Sequence, residues 1–480
     1  MRRMTKPRGR PCRLDPTSDE FRAAGHKLID WIGDYLDGVD RYDVLSRVQP
    51  GDIERQFPAA PSAGGRPYDA LLAEVDSKII PGVTHWNHPA FFAYFSITGS
   101  QAGILAELLT AALNLNGMIW RTSPSLTELE TVTLRWLREA LGLPSGLFGI
   151  INDTASINSF LALAAAREYA APEIRTRGFA AAPPLRVYCS EHAHSSIEKG
   201  ALALGFGIDG VVKIAGDDSF AMSVGALEEA IARDRAAGYV PCAISATVGT
   251  TSSAAIDPVK RIAEIARREN VWLHVDAAYA GPATICPEFR WLWEGVEEAD
   301  SIVINPHKWL FTPIDCSVLY TRKPDVLRET FSLVPEYLKT TDSAEVNFMD
   351  YGLQLGHRFR ALKLWYLFEH YGIERIQKVI RQHVADAARL ASELQKRDDV
   401  ELIAPQSLSV VVFRKIVRSS NSEIDEAASE RASIEALERM NASGRLFVSH
   451  TRLRGRYGIR VAIGNGATEW EHVARVLEYL

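Results

Sequence analysis

The sequence predicts an α/β protein whose large domain is a mainly parallel sheet with helices on both faces. Three observations carry this. Short apolar runs rich in strand-favouring residues recur at 148–151, 185–189, 242–247, 271–275 and 301–304. Helix-patterned stretches separate them, as crossovers between parallel strands require. The runs end in words such as Asn305-Pro306, Gly249-Thr250-Thr251-Ser252 and Asp276-Ala277-Ala278. Polar side chains therefore collect beyond the carboxyl ends of the strands, where open α/β sheets bind their ligands.

A chain of 480 residues has room for one large domain and one or two smaller ones. We place the boundaries at a basic arm (1–15), an N-terminal helical segment (16–100), the large domain (101–367) and a small C-terminal α+β domain (368–480). With 47% hydrophobic and 24% charged residues the composition is that of a soluble globular protein. The net charge of −6 argues against a nucleic-acid binder. The arm holds six basic residues and no acid over 1–13, lacks the apolar core of a signal peptide, and reads as a disordered extension. Cys12, Cys189, Cys242, Cys286 and Cys316 are scattered without a C-x-x-C pair, as expected of reduced thiols in the cytoplasm. No apolar run approaches the length of a membrane span.

Taken in order, Phe21, Ala24, Leu28, Trp31, Ile32 and Tyr35 recur at helical spacing from about Ser18 to Gly38. Such a stripe needs a partner surface. The Pro/Gly/Ala-rich stretch 50–65 reads as connection, and a second helix over 68–80 stops at Pro81-Gly82. The run 81–95 carries His85, Trp86, His88, Phe91, Phe92, Tyr94 and Phe95. Its histidines lack a Glu or Cys companion, so no metal is expected. Core packing is the commoner role for each aromatic taken singly. Helices are predicted at 102–113 and 125–141, the second opening with a Ser-x-x-Glu capping pattern.

The strand ends hold the candidate chemistry. The run 148–151 leads into Asn-Asp-Thr-Ala-Ser and an Ala/Leu-rich helix; Thr154, Ala155 and Ser156 would stand at a helix N-terminus, which suits a phosphate. Plain N-capping explains the same residues. Beyond 185–189, Glu191-His-Ala-His-Ser-Ser196 reads as a cap with two histidines. Asp276 ends one strand and Lys308 lies just past the next, so adjacent strands would bring them to one edge. Taken alone, such a pair is as well explained by a partly buried ion pair.

The surrounding words point further. His274-Val-Asp-Ala-Ala-Tyr-Ala-Gly281 and Asn305-Pro-His-Lys-Trp309 closely resemble the group II pyridoxal-dependent decarboxylases, the family of aromatic-L-amino-acid decarboxylase. The resemblance runs from about residue 18 to the end. It implies fold type I and a pyridoxal 5'-phosphate cofactor condensed with Lys308, its ring nitrogen paired with Asp276. In register with the family, Thr154, Ala155, Ser156, Thr251, Ala278, Asn305 and His307 become further cofactor contacts, and the A-H-S-S word makes His194 the ring stacked on the pyridine. Trp86, Tyr94, Phe95 and Thr98 become substrate contacts. The word P-E-Y-L-K makes Tyr337 the catalytic tyrosine on a mobile loop, a proton donor after CO2 leaves.

The resemblance thus implies a carbon–carbon lyase that decarboxylates an L-amino acid, aromatic by preference, in a cytoplasmic homodimer without nucleic-acid or membrane partners. An aromatic aldehyde synthase, an acidic-amino-acid decarboxylase and a non-catalytic cofactor-binding protein are the alternatives. Retention of Lys308, Asp276, His194 and Tyr337 favours the decarboxylase. Two departures stand out. Asp153 occupies a position where the family often has Gly, and the segment ending Gly356-His-Arg-Phe-Arg360 is shorter than the family's and lacks its Trp and Pro.

From about 372 to 397 an amphipathic helix is expected, followed by strands at 408–413, 446–449 and 458–463. The polar, acidic stretch 417–429 reads as an exposed connection between them.

Overall fold

The computed structural model describes residues 14–15, 17–333 and 345–480. The chain forms two compact units, Met1–His85 and Trp86–Leu480. The C-terminal α+β region predicted from 368 onward lies within the second.

In the first unit, α1 (Ser18–Asp37) begins with a capping box between Thr17 and Glu20, which satisfies two otherwise orphaned donors. Trp31 and Tyr35 stack at 5.6 Å on its face, and the Tyr35 hydroxyl lies 2.9 Å from Nδ1 of His85. Further on, α2 (Tyr68–Glu74) is tied to α1 by Lys27–Asp69. No residue of α1 is buried; Phe21 is 65% exposed.

The second unit is built on a seven-stranded sheet of β1 (Phe148–Asn152), β2 (Leu185–Ser190), β3 (Val211–Ile214), β4 (Val240–Thr247), β5 (Trp272–Asp276), β6 (Ser301–Ile304) and β7 (Ser317–Thr321). Their order is β1-β7-β6-β5-β4-β2-β3. Only β7 runs against the rest, pairing antiparallel with β1 and β6. The predicted mainly parallel sheet is present, and β3 and β7 are additions to it. They span only four and five residues, Val-Val-Lys-Ile and Ser-Val-Leu-Tyr-Thr, too short for a clear alternation to declare itself.

Helices cover both faces. After α3 (Gln101–Leu113), α4 (Pro124–Leu141) takes the Tyr320 hydroxyl on its Leu134 carbonyl at 2.7 Å. On the opposite face lies α5 (Ala155–Ala170), whose Asn158 donates to Ser317 Oγ at 2.8 Å. Register carries that face across the sheet, because Leu319 pairs with Val303, Val303 with Asp276, and Asp276 with Thr247. Strand side chains alternate between faces. Thr247, Asp276, Ser245, His274 and Ser301 therefore all point to the α5 side.

A second, antiparallel sheet of β8 (Val400–Leu402), β9 (Val410–Lys415), β10 (Ser449–Leu453) and β11 (Arg456–Ala462) has the order β10-β11-β9-β8. The strand expected at 446–449 starts only at Ser449. Part of the connection expected over 417–429 is instead the opening of a helix, Glu426–Ala442, whose cap Asp425 accepts from the Ala428 amide. Acidic residues near a helix start share their composition with exposed loops, and here they favour the N-terminal dipole. The long helix begins just past Gly372, as expected, and runs to Gln395; a shorter helix over 361–371 precedes it, and Gly372, at φ 69°, separates the two. Only glycine holds that left-handed turn without strain.

Candidate active site

A cavity of about 310 Å³ opens at the carboxyl edge of the large sheet. β6 runs into Asn305, and Pro306 then starts a single helical turn through Trp309. That turn aims Lys308 into the cavity because Trp309 is clamped behind it. The indole stacks on Tyr279 at 5.2 Å and donates to His383 Nδ1 at 3.0 Å. His383 in turn reaches the Asn465 carbonyl at 2.9 Å. Among the described residues, no hydrogen bond or ion pair engages the Lys308 ammonium. Burial holds its pKa below the ordinary lysine range; Asp276 opposes this and Arg460 adds to it.

Asp276 closes β5. Its Oδ1 accepts the Ala278 amide at 3.1 Å. The small residues Ala277, Ala278 and Ala280 leave the floor flat, and Gly249 extends it: a Cβ there would stand 2.7 Å from the Tyr279 ring. His194, beyond β2, accepts the Ser196 amide on Nδ1 at 3.2 Å, which fixes its proton on Nε2. Its pKa is lowered by burial, against the pull of Asp276, with Lys308 and Lys199 adding to the lowering.

At the α5 end, Thr154, Ala155 and Ser156 line the cavity. The first backbone bond into the helix is Asn158 N–H to Thr154 O, so the amides of Ala155, Ser156 and Ile157 have no partner among the described residues. Asp153 intrudes. Its Oδ1 takes both the Thr154 amide at 2.5 Å and the Thr154 hydroxyl at 3.1 Å. Asn305 is held by a polar chain: Asn152 to Asn158, Asn158 to Ser317, and Ser317 to Asn305 Oδ1 at 2.5 Å. Its amide nitrogen stays available to the cavity.

The donor set fits pyridoxal phosphate. An amine stands with no bonded partner, a carboxylate has one oxygen to spare, a flat floor lies between them, and free amides at a 16-residue helix can take a phosphate.

Of the residues singled out from the sequence, the cavity brings together Trp86, Tyr94, Phe95, Thr154, Ala155, Ser156, His194, Thr251, Asp276, Ala278, Asn305 and Lys308. Two stand elsewhere. His307 is buried with Nδ1 accepting the Cys316 amide at 2.9 Å, and burial pushes its pKa down to about 3; it acts on the fold of the turn, one residue from the amine. Thr98 is buried beside the cavity and is not among its walls; Ile97 is. Tyr337 lies outside the described residues. The shortened Gly356–Arg360 word stays away from the cavity. Its His357 meets Glu130 at 2.7 Å and its Arg360 meets Asp315 at 2.7 Å.

Sequence reasoning missed Arg460. It comes from β11, is 4% exposed, donates Nη1 to the Tyr94 carbonyl and keeps Nε unpaired. Burial lowers its pKa to about 10. The available signal was a charge in the middle of the apolar run Gly458-Ile-Arg-Val-Ala-Ile463. A larger groove of about 640 Å³ is lined by Arg454 and Arg456, but Asp218 and Glu401 already neutralise them.

Comparison with known proteins agrees with this geometry. The family model described as "Pyridoxal-dependent decarboxylase conserved domain" matches residues 50–416. Tryptophan decarboxylase 2 of Oryza sativa subsp. japonica is 38% identical over 467 residues, 95% of this chain and 93% of that protein. Phenylacetaldehyde synthase of a Rosa hybrid cultivar is 38% identical over 474 residues, covering 96% and 92%. The crystal structure of Oryza sativa TDC with PLP and tryptamine superposes with a TM-score of 0.93 at 37% identity, covering 97% and 98%.

Proposed function

This chain belongs to the pyridoxal-dependent decarboxylase family, and on that premise we propose that it converts an aromatic L-amino acid to its amine and CO2. The observation that carries the proposal is the Lys308 amine. It stands without a bonded partner among the described residues, in the same cavity as Asp276, under walls of Trp86, Tyr94, Phe95 and Ile97. Those walls offer a flat aromatic side chain more than they offer an ion.

Bound there, pyridoxal phosphate supplies an electron-accepting ring conjugated to the amino acid's α-carbon. Lys308 would carry it, Asp276 would hold the ring nitrogen, and Ala155, Ser156 and Thr251 would hold the phosphate. The lowered pKa of Lys308 keeps more of its amine neutral, which is the nucleophilic form. His194, with its proton on Nε2, would cover the ring and present a donor to the substrate carboxylate. Arg460 gives the cavity a positive side that draws the carboxylate in. We assign proton delivery to the α-carbon to Tyr337, on its P-E-Y-L-K word.

An aromatic aldehyde synthase is the second reading, because phenylacetaldehyde synthase is as similar as the decarboxylases. One panel tests both: purified protein with phenylalanine, tyrosine, tryptophan, dopa and glutamate, scored for CO2, amine, aldehyde and peroxide. Amine from an aromatic substrate is expected. Aldehyde with peroxide would replace the first reading by the second, and turnover of glutamate alone would overturn both. In the same assay Tyr337→Phe should lower amine formation about 10²–10⁴-fold while cofactor content holds.

We propose that the chain assembles as a homodimer; two exposed apolar stripes support this, Leu105, Leu108, Leu109 and Leu113 on α3 and Phe21 and Leu28 on α1. Deleting residues 1–37 should leave aggregated or cofactor-poor protein; a stable active monomer would sink the idea. Among the described residues no helix is long and apolar enough to cross a membrane. A cytoplasmic location is proposed on a separate ground, the scattered cysteines without a C-x-x-C pair.

A further inference from the structure

Beneath Asp276 the protein interior is unexpectedly polar. On the α5 side of the sheet, Ser245 pairs with His274 and Thr247 with Asp276 in the register of β4 and β5. Ser245 and His274 are fully buried and Thr247 is 4% exposed. Yet Ser245 Oγ, Thr247 Oγ1 and His274 Nε2 have no hydrogen-bond partner among the described residues. Ser159 Oγ, fully buried on α5, which packs over β4 and β5, is a fourth. Buried polar groups left unpaired cost about 1–3 kcal/mol each. Three of them, Ser245, Thr247 and His274, neighbour one another on one face of β4 and β5 and call for a shared partner.

The hydrogen bonds of His274 define what that partner meets. Ser301 Oγ receives the Trp272 indole N–H at 2.9 Å and lies 2.9 Å from His274 Nδ1. The indole can only donate. The Ser301 hydroxyl proton then has Nδ1 as its acceptor, so the His274 proton sits on Nε2. Burial keeps the ring neutral, with its pKa down near 4. The donor therefore lies on the Asp276 face of the strand, two residues before the carboxylate, and Asp276 Oδ1 is already engaged by Ala278. Thr247 also lines the active-site cavity, so the polar spot is continuous with it. A water needs two to four polar partners, and hydroxyls and a ring N–H supply them.

We propose that Ser245, Thr247 and His274 hold an ordered water beneath Asp276, and that through it His274 is a positioning residue for the carboxylate. This rests on Asp276 holding the ring nitrogen. The water takes the His274 proton donor on one side and gives a proton to Asp276 on the other, fixing the carboxylate's plane before the cofactor arrives.

The test uses the full chain. In a high-resolution crystal structure of the cofactor-loaded protein, a water should lie within hydrogen-bonding distance of His274 Nε2 and Thr247 Oγ1. Pyridoxal phosphate affinity, titrated onto cofactor-free protein, should fall about tenfold in His274→Leu and in Thr247→Val, the size of one hydrogen bond to a charged group. His274→Gln, which restores a donor, should recover most of that loss. Thr247→Val keeps the shape, so it serves where His274→Leu folds poorly. A dry chamber overturns the proposal. So does a cofactor-free Thr247→Val protein that melts higher than wild type with unchanged affinity, because a truly orphaned hydroxyl is better removed. Equal losses in His274→Gln and His274→Leu also overturn it, since packing alone would explain them. Asp276→Asn separates the two layers. If it loses affinity while Thr247→Val does not, the water relay alone fails. If it loses none, the ring-nitrogen assignment fails and the relay with it.

Discussion

Lys308 and Lys363 are both drawn into the interior of the second unit, and the protein treats them in opposite ways. Lys363 is fully buried and saturated: Nζ meets Glu107 at 2.5 Å, the Asp315 carbonyl at 2.6 Å and the Pro313 carbonyl at 3.2 Å. Its neighbourhood is equally closed. Glu130, fully buried, takes the Ile151 amide at 2.8 Å and His357 at 2.7 Å, and Arg360 donates to Asp315. Lys308 has the field of Asp276, opposed by that of Arg460, and no hydrogen bond among the described residues. An ammonium has three donors, and burying it with none used is costly unless it changes state. Completed hydrogen bonding marks a structural charge, and spare capacity marks a chemical one.

The largest effects should come from removing each amine. Lys308→Ala should abolish turnover and the visible absorption of the bound cofactor, while the melting temperature of the cofactor-free protein stays near wild type, because no bonded partner is orphaned. Borohydride treatment of the wild-type protein should fix the chromophore on Lys308; a label mapped to another lysine would break the assignment. Lys363→Met should do the reverse. It leaves two buried carbonyls without their donor and Glu107 with Arg358 alone, which costs about 1–3 kcal/mol of stability for each carbonyl. A Lys363→Met protein that melts like wild type would show that saturation is not what holds this charge.

Asp257 extends the contrast to carboxylates. It is 1% exposed, and its two oxygens take the Met222 and Thr247 amides, each at 2.7 Å. Burial still pushes its pKa up to about 7, against the two amides that lower it. A carboxyl raised in the fold favours the protonated native state. Its stabilisation is complete below about pH 4, the unfolded value, and is lost as pH rises to about 7. The loss is on the order of 2–4 kcal/mol. Asp257→Asn should flatten that part of the stability-against-pH curve, read as the difference from wild type between pH 4 and 8. Parallel curves would show that Asp257 stays charged throughout. The effect should not appear in cofactor binding, because Asp257 does not line the cavity.

What could be read beforehand follows the same division. Lys308, Asp276 and His194 were legible because each is a polar residue beyond an apolar run, where a solvated charge has no reason to be. Arg460 was not. It reaches the cavity from β11 of the second sheet, and no local pattern in a single strand tells which distant surface it will face. His307 and Thr98 were read from neighbouring words, and one-residue alternation turned them away from the cavity: the turn through Trp309 aims Lys308 in and His307 back. The β7 strand escaped notice because a five-residue run, Ser-Val-Leu-Tyr-Thr, after a proline-bearing loop carries no signal of direction. The saturated cluster around Lys363 was invisible for a related reason, since its partners lie at residues 107, 130, 315 and 357–360 and meet only in the fold.

The smallest expected effect concerns Asp153, where spare capacity at the helix N-terminus is partly used up. Its carboxylate occupies the Thr154 amide and hydroxyl, and it places a negative charge beside the amides of Ala155 and Ser156, which would receive a phosphate dianion. Both effects should weaken cofactor binding, and two substitutions separate them. Asp153→Asn removes the charge but keeps an oxygen able to accept from Thr154. Two like charges several ångströms apart near a surface interact by about 1 kcal/mol or less once solvent screens them. The gain in pyridoxal phosphate affinity should therefore be about two- to fivefold and should shrink as salt is added. Asp153→Gly also frees the Thr154 amide and hydroxyl. A hydrogen bond to a charged group is worth about 1.5–3 kcal/mol, and the glycine's extra backbone freedom takes back up to about 1 kcal/mol. The net gain should reach about tenfold and keep most of its size at high salt. Titration of cofactor onto the three cofactor-free proteins at two ionic strengths reads both. If Asp153→Asn and Asp153→Gly bind alike, the Thr154 groups do not touch the phosphate. If both bind more weakly than wild type, Asp153 is organising the turn for the cofactor instead of competing with it.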